Sequence, residues 1–468
     1  MSQIKFGTDG WRAVIGKDFI PENIKRIIQA FCDLNRLEKN RLVFIGYDRR
    51  RESDVSARLV AQVLAHNGFE VRLAQGFCPT PCVSWLVKTQ EALAGVMVTA
   101  SHNPPQWNGI KFKESYGGAA SPEYTGRIED QIQKNGDRIL SYPSFEELQK
   151  SGSIHFFDPD ETYVAHLKKF VDVALIRKAG YKIAVDPLFG AGTNYIAKVL
   201  GIPVTEIHSA ADYNFGGLNP EPIEKNLGEL IKLVPEQGLD IGLATDGDAD
   251  RIGAVDEKGE YVNSHQIFAL LLKHHVEYRK LRGKVVKSVS ATQWIDRLCT
   301  KYNLETIETP IGFKYISKVL REQDALMGGE ESGGISLREH VHERDGVING
   351  LFLLEMMALH GKTLRGLLED LYQEVGRFYF ERVDYHIDRA RIDVADAKMR
   401  RLELKEVLGV AVKHANMLDG TKLLFADDSW LLIRASGTEP LLRTYAEASS
   451  PERVQGLLNF IREYLQLG

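Results

Sequence analysis

The chain has 468 residues, of which 44% are hydrophobic and 26% are charged, with a formal net charge of −5 and an isoelectric point near 6.3. This composition is typical of a globular protein, and the length is enough for about three or four domains. No basic arm or Lys/Arg block occurs, so we expect no nucleic-acid partner, although a local cationic pocket for an anionic substrate is compatible with this charge.

Hydropathy and cysteine usage favour a cytoplasmic protein. The first residues, MSQIKF, contain no apolar signal-peptide core, and no run approaches the roughly 18 apolar residues of a spanning helix, so we expect no membrane partner. The CPTPC segment at 78–82 resembles half of a metal site, but no second Cys/His pair completes it. Free, mostly buried thiols in a reducing compartment are the better interpretation of the four cysteines, Cys32, Cys78, Cys82 and Cys299.

Residues 1–150 predict an α/β domain that ends a buried strand in a polar loop. Strands are predicted at 41–47, 69–73 and 93–98, with helices at 55–64 and 81–87 between them. The last strand runs into TASHNP at 99–104, and the two prolines that follow Asn103 forbid a helix there. Ser101 is therefore predicted on a rigid loop at a strand end, where α/β proteins hold a nucleophile or a phosphate. An ordinary Ser/Asn/Pro turn is the alternative.

The alternation of strands and helices recurs twice more, at 151–256 and 257–373, before a different C-terminal segment at 374–468. The second unit has predicted strands at 182–186, 203–207 and 240–244 and helices at 195–200 and 227–234; the third has strands at 285–289, 304–308 and 325–327 and helices at 267–275, 295–302 and 316–320. The last segment has a strand at 379–387, a helix at 395–407, an antiparallel pair at 422–425 and 430–434, and a helix at 451–465. We predict three tandem α/β domains with mixed, mainly parallel sheets, followed by a smaller α+β domain.

Three aspartates alternate on the loop that ends the last strand of the second unit: Asp246, Asp248 and Asp250. Carboxylates this close repel one another unless a cation lies among them, and octahedral Mg²⁺ is the first choice. Because Mg²⁺ usually takes fewer protein carboxylates, a phosphate oxygen and Arg251 would have to balance the charge. A Ca²⁺ loop of the EF-hand type is disfavoured, because Arg251 stands where that loop needs glycine and strands flank it. A metal-free acidic turn remains open.

The C-terminal segment contains a composition suited to binding phosphate, RASGTEP at 434–440 with Arg443 nearby. Arginine offers a bidentate fork, serine and threonine offer hydroxyls, and Gly437 lets backbone N–H groups approach an anion. A strand-end turn with solvated arginines is the alternative.

Other polar residues sit on less specific segments. Glu330 and Ser332 lie among four glycines, where they could bind sugar hydroxyls or belong to a flexible loop. Arg12, in an N-terminal GTDGWR segment, faces either phosphate or the surface. Lys111 ends the NGIK segment at 108–111, which predicts a hairpin-like turn, and is either a cation near the serine or an ordinary edge-strand lysine.

Taken together, four segments resemble the four signature loops of the α-D-phosphohexomutases, the phosphoglucomutase and phosphomannomutase family. They are TASHNP at 99–104, DGDADR at 246–251, GEESG at 329–333 and RASGTEP at 434–440. One such loop would be weak evidence, whereas four in order along the whole chain are specific. The resemblance implies a four-domain, heart-shaped enzyme around a central cleft, one loop per domain, acting on hexose phosphates.

The resemblance also implies a role for each loop. Ser101 would carry the phosphoryl group, and Asp246, Asp248 and Asp250 would bind Mg²⁺ against its phosphate. The remaining implied roles are the reacting centre for Arg12, His102, Lys111 and Arg251, sugar hydroxyls for Glu330 and Ser332, and the non-reacting phosphate for Arg434, Ser436, Gly437 and Thr438, with Arg443 beside them. The sequence does not choose the general acid and base among Lys111, His102 and Arg251.

The implied activity is an intramolecular phosphotransfer, that is, an isomerase reaction. The phosphoserine would give its phosphoryl group to a sugar hydroxyl, and the resulting 1,6-bisphosphate would turn over and rephosphorylate the enzyme; a sugar 1,6-bisphosphate would therefore act as an activator. A phosphatase would release phosphate, and the separate anchor loop argues against it. A non-catalytic sensor would not need the serine and metal loops. We expect a monomer or a weak homo-oligomer.

The sugar is predicted to be glucose. GFK at 312–314 and Glu330-Glu331-Ser332 resemble glucose-type phosphoglucomutases. Gly333-Gly334 after Ser332 departs from the pattern of members that accept mannose and glucose phosphates alike. Lys314 would then supply a cation or donor near the sugar, although it could also simply begin the following helix. A phosphomannomutase or a dual-specificity enzyme is the alternative.

Overall fold

The computed structural model describes residues 4–136, 138, 141–401, 404–436 and 440–467. Four β-sheets follow one another along the chain, each with its own helices. As predicted, the first three sheets are mixed and the fourth, smaller unit is antiparallel. Within these residues, no helix has both the length and the apolar character needed to cross a membrane.

The first unit is built on a six-stranded sheet of order β1-β5-β4-β2-β3-β6. Its elements are β1 (Trp11–Val14), α1 (Pro21–Leu34), β2 (Leu42–Tyr47), α2 (Ser53–His66), β3 (Glu70–Ala74), α3 (Thr80–Thr89), β4 (Ala94–Val98), β5 (Trp107–Glu114), α4 (Pro122–Asn135), α5 (Phe145–Lys150) and β6 (Ile154–Phe157). Strand β6 pairs in parallel with β3, with Ile154 opposite Val71. The predicted boundary after residue 150 therefore stops short of the last strand of this sheet.

The predicted hairpin-like turn at 108–111 is wrong. These residues lie inside β5, which is paired on one side with β4 and on the other with β1, so Lys111 is not on an edge strand. Gly109 is needed because a Cβ there would lie 2.8 Å from the Thr99 carbonyl oxygen and closer still to that of Trp11. Asn108 is buried and donates to Ser53 Oγ at 2.9 Å instead of shaping a turn.

The second unit is a five-stranded sheet of order β11-β10-β9-β7-β8. Its elements are α6 (Pro159–Phe170), α7 (Val173–Ala179), β7 (Ile183–Asp186), α8 (Tyr195–Leu200), β8 (Thr205–Glu206), α9 (Gly228–Glu236), β9 (Ile241–Thr245), β10 (Ile252–Asp256) and β11 (Tyr261–Val262). Strands β9 and β10 are antiparallel with Thr245 opposite Ile252, so the aspartate loop is their tight connection. Strand β11 extends this sheet past the predicted boundary at residue 256.

The third unit is a four-stranded sheet of order β13-β12-β14-β15. Its elements are α10 (Ser264–Glu277), β12 (Val285–Ser288), α11 (Gln293–Tyr302), β13 (Thr306–Thr309), α12 (Phe313–Glu322), β14 (Met327–Gly329), β15 (Ile335–Leu337), α13 (Gly346–His360) and α14 (Leu364–Val375). One apolar cluster joins the three α/β units through Val83 of α3, Leu167 of α6, Leu271 of α10 and Leu353 of α13. The first three units thus share a core.

The fourth unit is a six-stranded antiparallel sheet of order β16-β21-β20-β19-β18-β17 with a separate apolar cluster. Its elements are β16 (Tyr379–His386), α15 (Arg389–Arg400), β17 (Glu406–Val407), β18 (Val410–Asn416), β19 (Thr421–Phe425), β20 (Trp430–Ala435), β21 (Leu441–Ala448) and α16 (Pro451–Tyr464). The helix predicted at 395–407 is shifted. Asp388 caps α15 by accepting from Arg391 N, and the turn at Leu408 and Gly409, both with positive φ, pairs β17 with β18.

Candidate functional site

The loop after β4 is held rigidly by one arginine that the sequence analysis did not select. Ser101 is fully buried with a φ of +53°, and its N–H donates to Thr99 Oγ1 at 2.8 Å. Arg50, also buried, donates to the carbonyl oxygens of Ser101 at 2.5 Å, Asn103 at 2.6 Å and Pro104 at 2.9 Å. A single guanidinium thus fixes the unusual backbone on which the serine sits.

The serine loop of the first unit meets the aspartate loop of the second. Ser101 Oγ donates to Asp246 Oδ2 at 2.8 Å. Gly247 allows this approach, because a Cβ at that position would overlap the Ser101 carbonyl oxygen. Asp246 Oδ1 accepts the N–H groups of Asp250 at 2.9 Å and Arg251 at 3.0 Å, so only Oδ2 faces the serine.

In each of the other two aspartates, one carboxylate oxygen is bound by neighbouring side chains and the other is not. Asp248 Oδ2 accepts from Thr80 Oγ1 at 2.5 Å and Lys111 Nζ at 2.8 Å, while Asp250 Oδ2 pairs with Lys111 at 3.1 Å and Arg344 at 2.8 Å. Their Oδ1 atoms are buried and have no hydrogen-bond partner among the described residues. The three aspartates offer ligand atoms within 4.8 Å of one another. Three such oxygens fit a compact, oxygen-loving cation.

Burial and neighbouring charge shift the pKa values around the serine. Burial, reinforced by Asp250, raises the pKa of Asp246 well above its ordinary value, as expected for carboxylates that face one another. Burial lowers the pKa of Lys111, but three nearby carboxylates outweigh it and keep the amine protonated. Burial and the surrounding cations lower the pKa of His102, whose Nδ1 lies 3.3 Å from Ser101 Oγ.

The two arginines predicted at the reacting centre both border the serine loop or the aspartate loop. Arg12 Nη1 donates to Asn103 Oδ1 at 2.5 Å, and 20% of its side chain is exposed. Arg251 Nη1 pairs with Glu221 Oε1 at 2.8 Å. Each guanidinium therefore has a neutral or acidic partner that fixes its direction in this structure.

Asp9 adds a further carboxylate to the charged groups around Lys111 and Arg344. Asp9 Oδ2 lies 2.7 Å from Lys111 Nζ and 2.6 Å from Arg344 Nη2. Desolvation opposes ionisation of Asp9, but Arg344 and Lys111 outweigh it and hold the pKa of Asp9 well below its usual range. Lys111 and Arg344 thus bridge the N-terminal loop to the aspartate loop.

The glycine-rich loop between β14 and β15 packs directly on the aspartate loop. Gly333, with a φ of +93°, lies so close that a Cβ there would be 2.8 Å from the Ile252 carbonyl oxygen. Glu330 is buried, and its Oε1 accepts the N–H of Gly312 at 2.9 Å. Burial is the main reason that the pKa of Glu330 rises to about 7. Ser332 is half-buried on the same loop.

Lys314 lies in the first turn of α12, half-buried, with Nζ 5.3 Å from the ring centre of Tyr315. Burial lowers its pKa, and the attraction of Asp9 and Glu123 partly opposes that shift. Asp9, which belongs to the network around the serine, is therefore among the charged groups near Lys314.

The end of β20 that carries Arg434 makes polar contacts within the fourth unit. Arg434 Nε pairs with Asp419 Oδ2 at 2.8 Å, and the carbonyl oxygen of Ser436 accepts from Arg389 Nη1 at 3.0 Å. Arg443 lies in β21, opposite Arg434 in the strand register. Gly437 and Thr438, also predicted here, lie outside the described residues.

Four residues that organise the site were missed by the sequence analysis: Asp9, Arg50, Thr80 and Arg344. Arg50 follows β2 and Thr80 follows β3, so both stand at the carboxyl ends of parallel strands, where the serine loop was sought. Extending that rule to every strand of the sheet would have found these two. Arg344 gave no such signal, because its position depends on how the third unit packs against the first.

Comparison with known proteins gives four domain matches along the chain. They are phosphoglucomutase/phosphomannomutase alpha/beta/alpha domain I at residues 3–138, domain II at 161–259, domain III at 263–375 and the C-terminal domain at 390–463.

Similar proteins cover nearly the whole chain. A phosphoglucomutase/phosphomannomutase from Thermococcus kodakarensis is 32% identical over 99% of this chain and 97% of its own length. A phosphoglucosamine/phosphogalactosamine mutase from Sulfurisphaera tokodaii is 30% identical over 98% of this chain and 99% of its own. A crystal structure from Thermus thermophilus matches with a TM-score of 0.87 and 33% identity over 99% of both chains. The predicted fold class and family are thereby confirmed, and the chain is an enzyme of the phosphoglucomutase/phosphomannomutase family, a phosphohexomutase.

Proposed function

We propose that this phosphohexomutase interconverts glucose 1-phosphate and glucose 6-phosphate through a phosphorylated Ser101 and a glucose 1,6-bisphosphate intermediate. The observation that carries the proposal is the placement of Ser101 Oγ, 2.8 Å from Asp246 Oδ2 at the edge of three buried carboxylates. A serine there can bear a phosphoryl group whose charge a cation balances, whereas a solvated turn would need no such surroundings.

The aspartate loop is proposed to hold Mg²⁺. Asp246 Oδ2 and the Oδ1 atoms of Asp248 and Asp250 are the oxygens that Lys111, Thr80 and the backbone leave available. An oxygen of phosphorylated Ser101 would complete the set from the protein. Bound there, Mg²⁺ would offset negative charge on the phosphoryl group during transfer.

In the proposed transfer, the phosphoryl group moves between Ser101 and the sugar, and no phosphate is released. The bond between phosphorus and Ser101 Oγ breaks as a sugar hydroxyl oxygen bonds to phosphorus; the hydroxyl proton leaves to a base, and Ser101 Oγ takes up a proton. Lys111, kept protonated by its three carboxylate partners, serves as a fixed donor and positive charge. Arg12 and Arg251, with neutral His102 beside the serine, would line the same reacting centre.

The other end of the substrate is proposed to rest on the fourth unit. Arg434 and Ser436, with Arg443, Gly437 and Thr438, would hold the phosphate that does not react, and Glu330 and Ser332 would bind sugar hydroxyls between the two phosphates. Because the intermediate carries a phosphate at each end, either phosphate can occupy this anchor. A sugar 1,6-bisphosphate would then phosphorylate an enzyme that has lost its phosphate, which makes it the activator.

The glucose assignment depends on Lys314. Lys314 lies two residues after Gly312, whose N–H donates to Glu330 Oε1 at 2.9 Å, which supports a position near the proposed sugar-binding loop. Glucose and mannose differ at the 2-hydroxyl alone, and one misplaced hydrogen bond costs roughly 1–3 kcal/mol. We therefore expect glucose 1-phosphate to be preferred by about tenfold or more in kcat/KM.

The test is a panel of hexose 1-phosphates assayed with a trace of the matching bisphosphate. Glucose 1-phosphate should be converted best, and Lys314→Ala should weaken the preference, while Lys318→Ala on the exposed side of the same helix should not. Equal or better use of mannose or glucosamine 1-phosphate would overturn the sugar assignment alone. Stoichiometric phosphate release would indicate a phosphatase, and binding without turnover a sensor.

A further inference from the structure

A single carboxylate oxygen joins the proposed phosphate anchor to the third unit. Asp419 lies on the loop between β18 and β19, and its Oδ2 accepts both the backbone N–H of Ile311 at 2.9 Å and Nε of Arg434 at 2.8 Å. Ile311 belongs to the third unit, just before α12, whereas Arg434 belongs to the fourth. The segment before α12 and the strand end that carries Arg434 therefore both donate to the same carboxylate oxygen.

The line of hydrogen bonds continues to the glycine-rich loop. The residue after Ile311 is Gly312, whose N–H donates to Glu330 Oε1 at 2.9 Å. Two consecutive N–H groups thus bind carboxylates of two different loops, Asp419 on one side and Glu330 on the other. The proposed sugar-binding carboxylate and the proposed phosphate-binding guanidinium are connected through two peptide groups and Asp419.

The loop that carries Asp419 is itself fixed to the third unit. Asn416 Nδ2 donates to Glu308 Oε2 at 2.9 Å and Lys422 Nζ to Glu308 Oε1 at 2.7 Å, so both ends of the loop are tied to one residue of β13. Asp419, between them, is 22% exposed and cannot move far without breaking these contacts. Its position is therefore set by the third unit rather than by the anchor that it holds.

The nitrogen of Arg434 that pairs with Asp419 determines which edge of the guanidinium can bind a phosphate. Asp419 pairs with Nε of Arg434, so the edge of the guanidinium formed by Nη1 and Nη2 is not used by this carboxylate. That edge can bind a phosphate in the bidentate manner, with its plane already fixed.

We propose that Asp419 is a positioning residue that holds the phosphate anchor and the sugar-binding loop at one separation, matched to the length of a hexose phosphate. The inference rests on the proposed role of Arg434 as anchor and adds a residue that touches no substrate. Loss of Asp419 should free both loops, so binding of the distal phosphate and discrimination among sugars should weaken together, while the buried reacting centre should keep its geometry.

The experiment compares Asp419→Ala and Asp419→Asn with the wild type on the hexose 1-phosphate that the wild type uses best. For Asp419→Ala we expect KM to rise about tenfold or more, kcat to change less than about threefold, and the ratio of kcat/KM between glucose and mannose 1-phosphates to move towards one. Asp419→Asn keeps an acceptor oxygen without the charge, so an intermediate KM is expected.

Asp428→Asn is the matched control, because Asp428 also pairs across the third and fourth units, with Arg297 at 2.9 Å, but away from these loops. Asp428→Asn should leave KM and the ratio of kcat/KM between glucose and mannose 1-phosphates unchanged. The comparison requires that its melting temperature equal that of Asp419→Ala. Wild-type KM in Asp419→Ala, or equal changes in Asp428→Asn, would overturn the proposal. Since KM is measured with the hexose 1-phosphate that the wild type uses best, failure of the glucose assignment would not affect the KM result, and Arg434→Ala with normal KM would instead refute the anchor itself.

Discussion

The two ends of the proposed substrate site are built differently. At the reacting end, Ser101 and the three aspartates are completely buried, and Lys111 is 1% exposed among its three carboxylate partners. At the anchor end, the side chains of Arg434 and Arg443 are 13% and 22% exposed, on an antiparallel sheet with its own apolar core. The first is a buried polar network where the first three units meet. The second belongs to a unit that contacts the third through an apolar cluster around Val289, Trp430 and Tyr445 and through polar contacts such as that of Asp419 with Ile311.

The difference matches the demands on each end. Phosphoryl transfer is promoted by charges that are in place before reaction, and burial makes such charges effective. The proposed anchor would have to bind the phosphate of either isomer and of the intermediate after it turns over, so its side chains could tolerate more adjustment. We therefore predict that substitutions at the reacting end lower kcat and that substitutions at the anchor raise KM.

Removal of the metal should produce the largest effect. Three facing carboxylates and a phosphoryl group are all negatively charged, and a cation is needed to balance them. Chelation should therefore abolish activity, and Mg²⁺ should restore it better than Ca²⁺. Turnover measured after dialysis against chelator and readdition of each ion provides the check. Full activity in excess chelator would count against Asp246, Asp248 and Asp250 as ligands.

Thr80→Val should weaken metal binding about 10–100-fold, the usual cost of losing a group that orients a ligand. Thr80 Oγ1 and Lys111 together hold Asp248 Oδ2, which leaves Oδ1 as the oxygen to offer. Thr80→Ser keeps the hydroxyl and should retain most of the affinity. Calorimetric titration with Mg²⁺ or Mn²⁺, alongside the metal concentration for half-maximal activity, tests this; equal affinities in Val and Ser variants would show that the hydroxyl is not needed.

Arg434→Ala should raise KM for the sugar monophosphate about tenfold or more, with a smaller change in kcat, because it removes the proposed bidentate partner of the non-reacting phosphate. Steady-state kinetics and the extent of Ser101 phosphorylation, measured on the same preparations, separate the two ends. A fall in kcat with unchanged KM would break the proposed division between them.

The smallest predicted effect is a pH dependence of binding. The pKa of Glu330 is raised to about 7 by burial, with Arg344 opposing, so the carboxylate that we propose to accept from sugar hydroxyls forms as pH rises through neutrality. KM should fall a few-fold between about pH 6 and pH 8. Glu330→Gln should retain only the dependence caused by ionisation of the substrate phosphate; an identical pH profile in both would exclude Glu330.

Sequence reasoning was strongest where function depends on short local patterns. The apolar run of β4 followed by Asn-Pro-Pro placed Ser101 correctly, and the alternating aspartates lie together on one tight β9–β10 connection as their spacing implied. The predicted pair at 422–425 and 430–434 is the β19–β20 pair. In each case the information lies within a few consecutive residues.

It was weakest where partners lie far apart in the chain. Lys111 looked like a turn residue because Asn-Gly precedes it, whereas two neighbouring strands bury the whole segment. Arg344 pairs with Asp9, which lies 335 residues away in the chain, and the role proposed for Asp419 depends on the backbone N–H of Ile311, which donates a hydrogen bond to it. Such contacts follow from the packing of whole units, which no local pattern encodes.

Intact-mass analysis can show whether Ser101 carries the phosphoryl group. Wild-type enzyme incubated with glucose 1,6-bisphosphate should gain the mass of one phosphoryl group, lose it on addition of excess hexose monophosphate, and yield a peptide phosphorylated at Ser101. Ser101→Ala should show no such gain and should lose turnover by several orders of magnitude. Near-normal turnover in Ser101→Ala, or phosphate on another residue of the active wild type, would contradict the account.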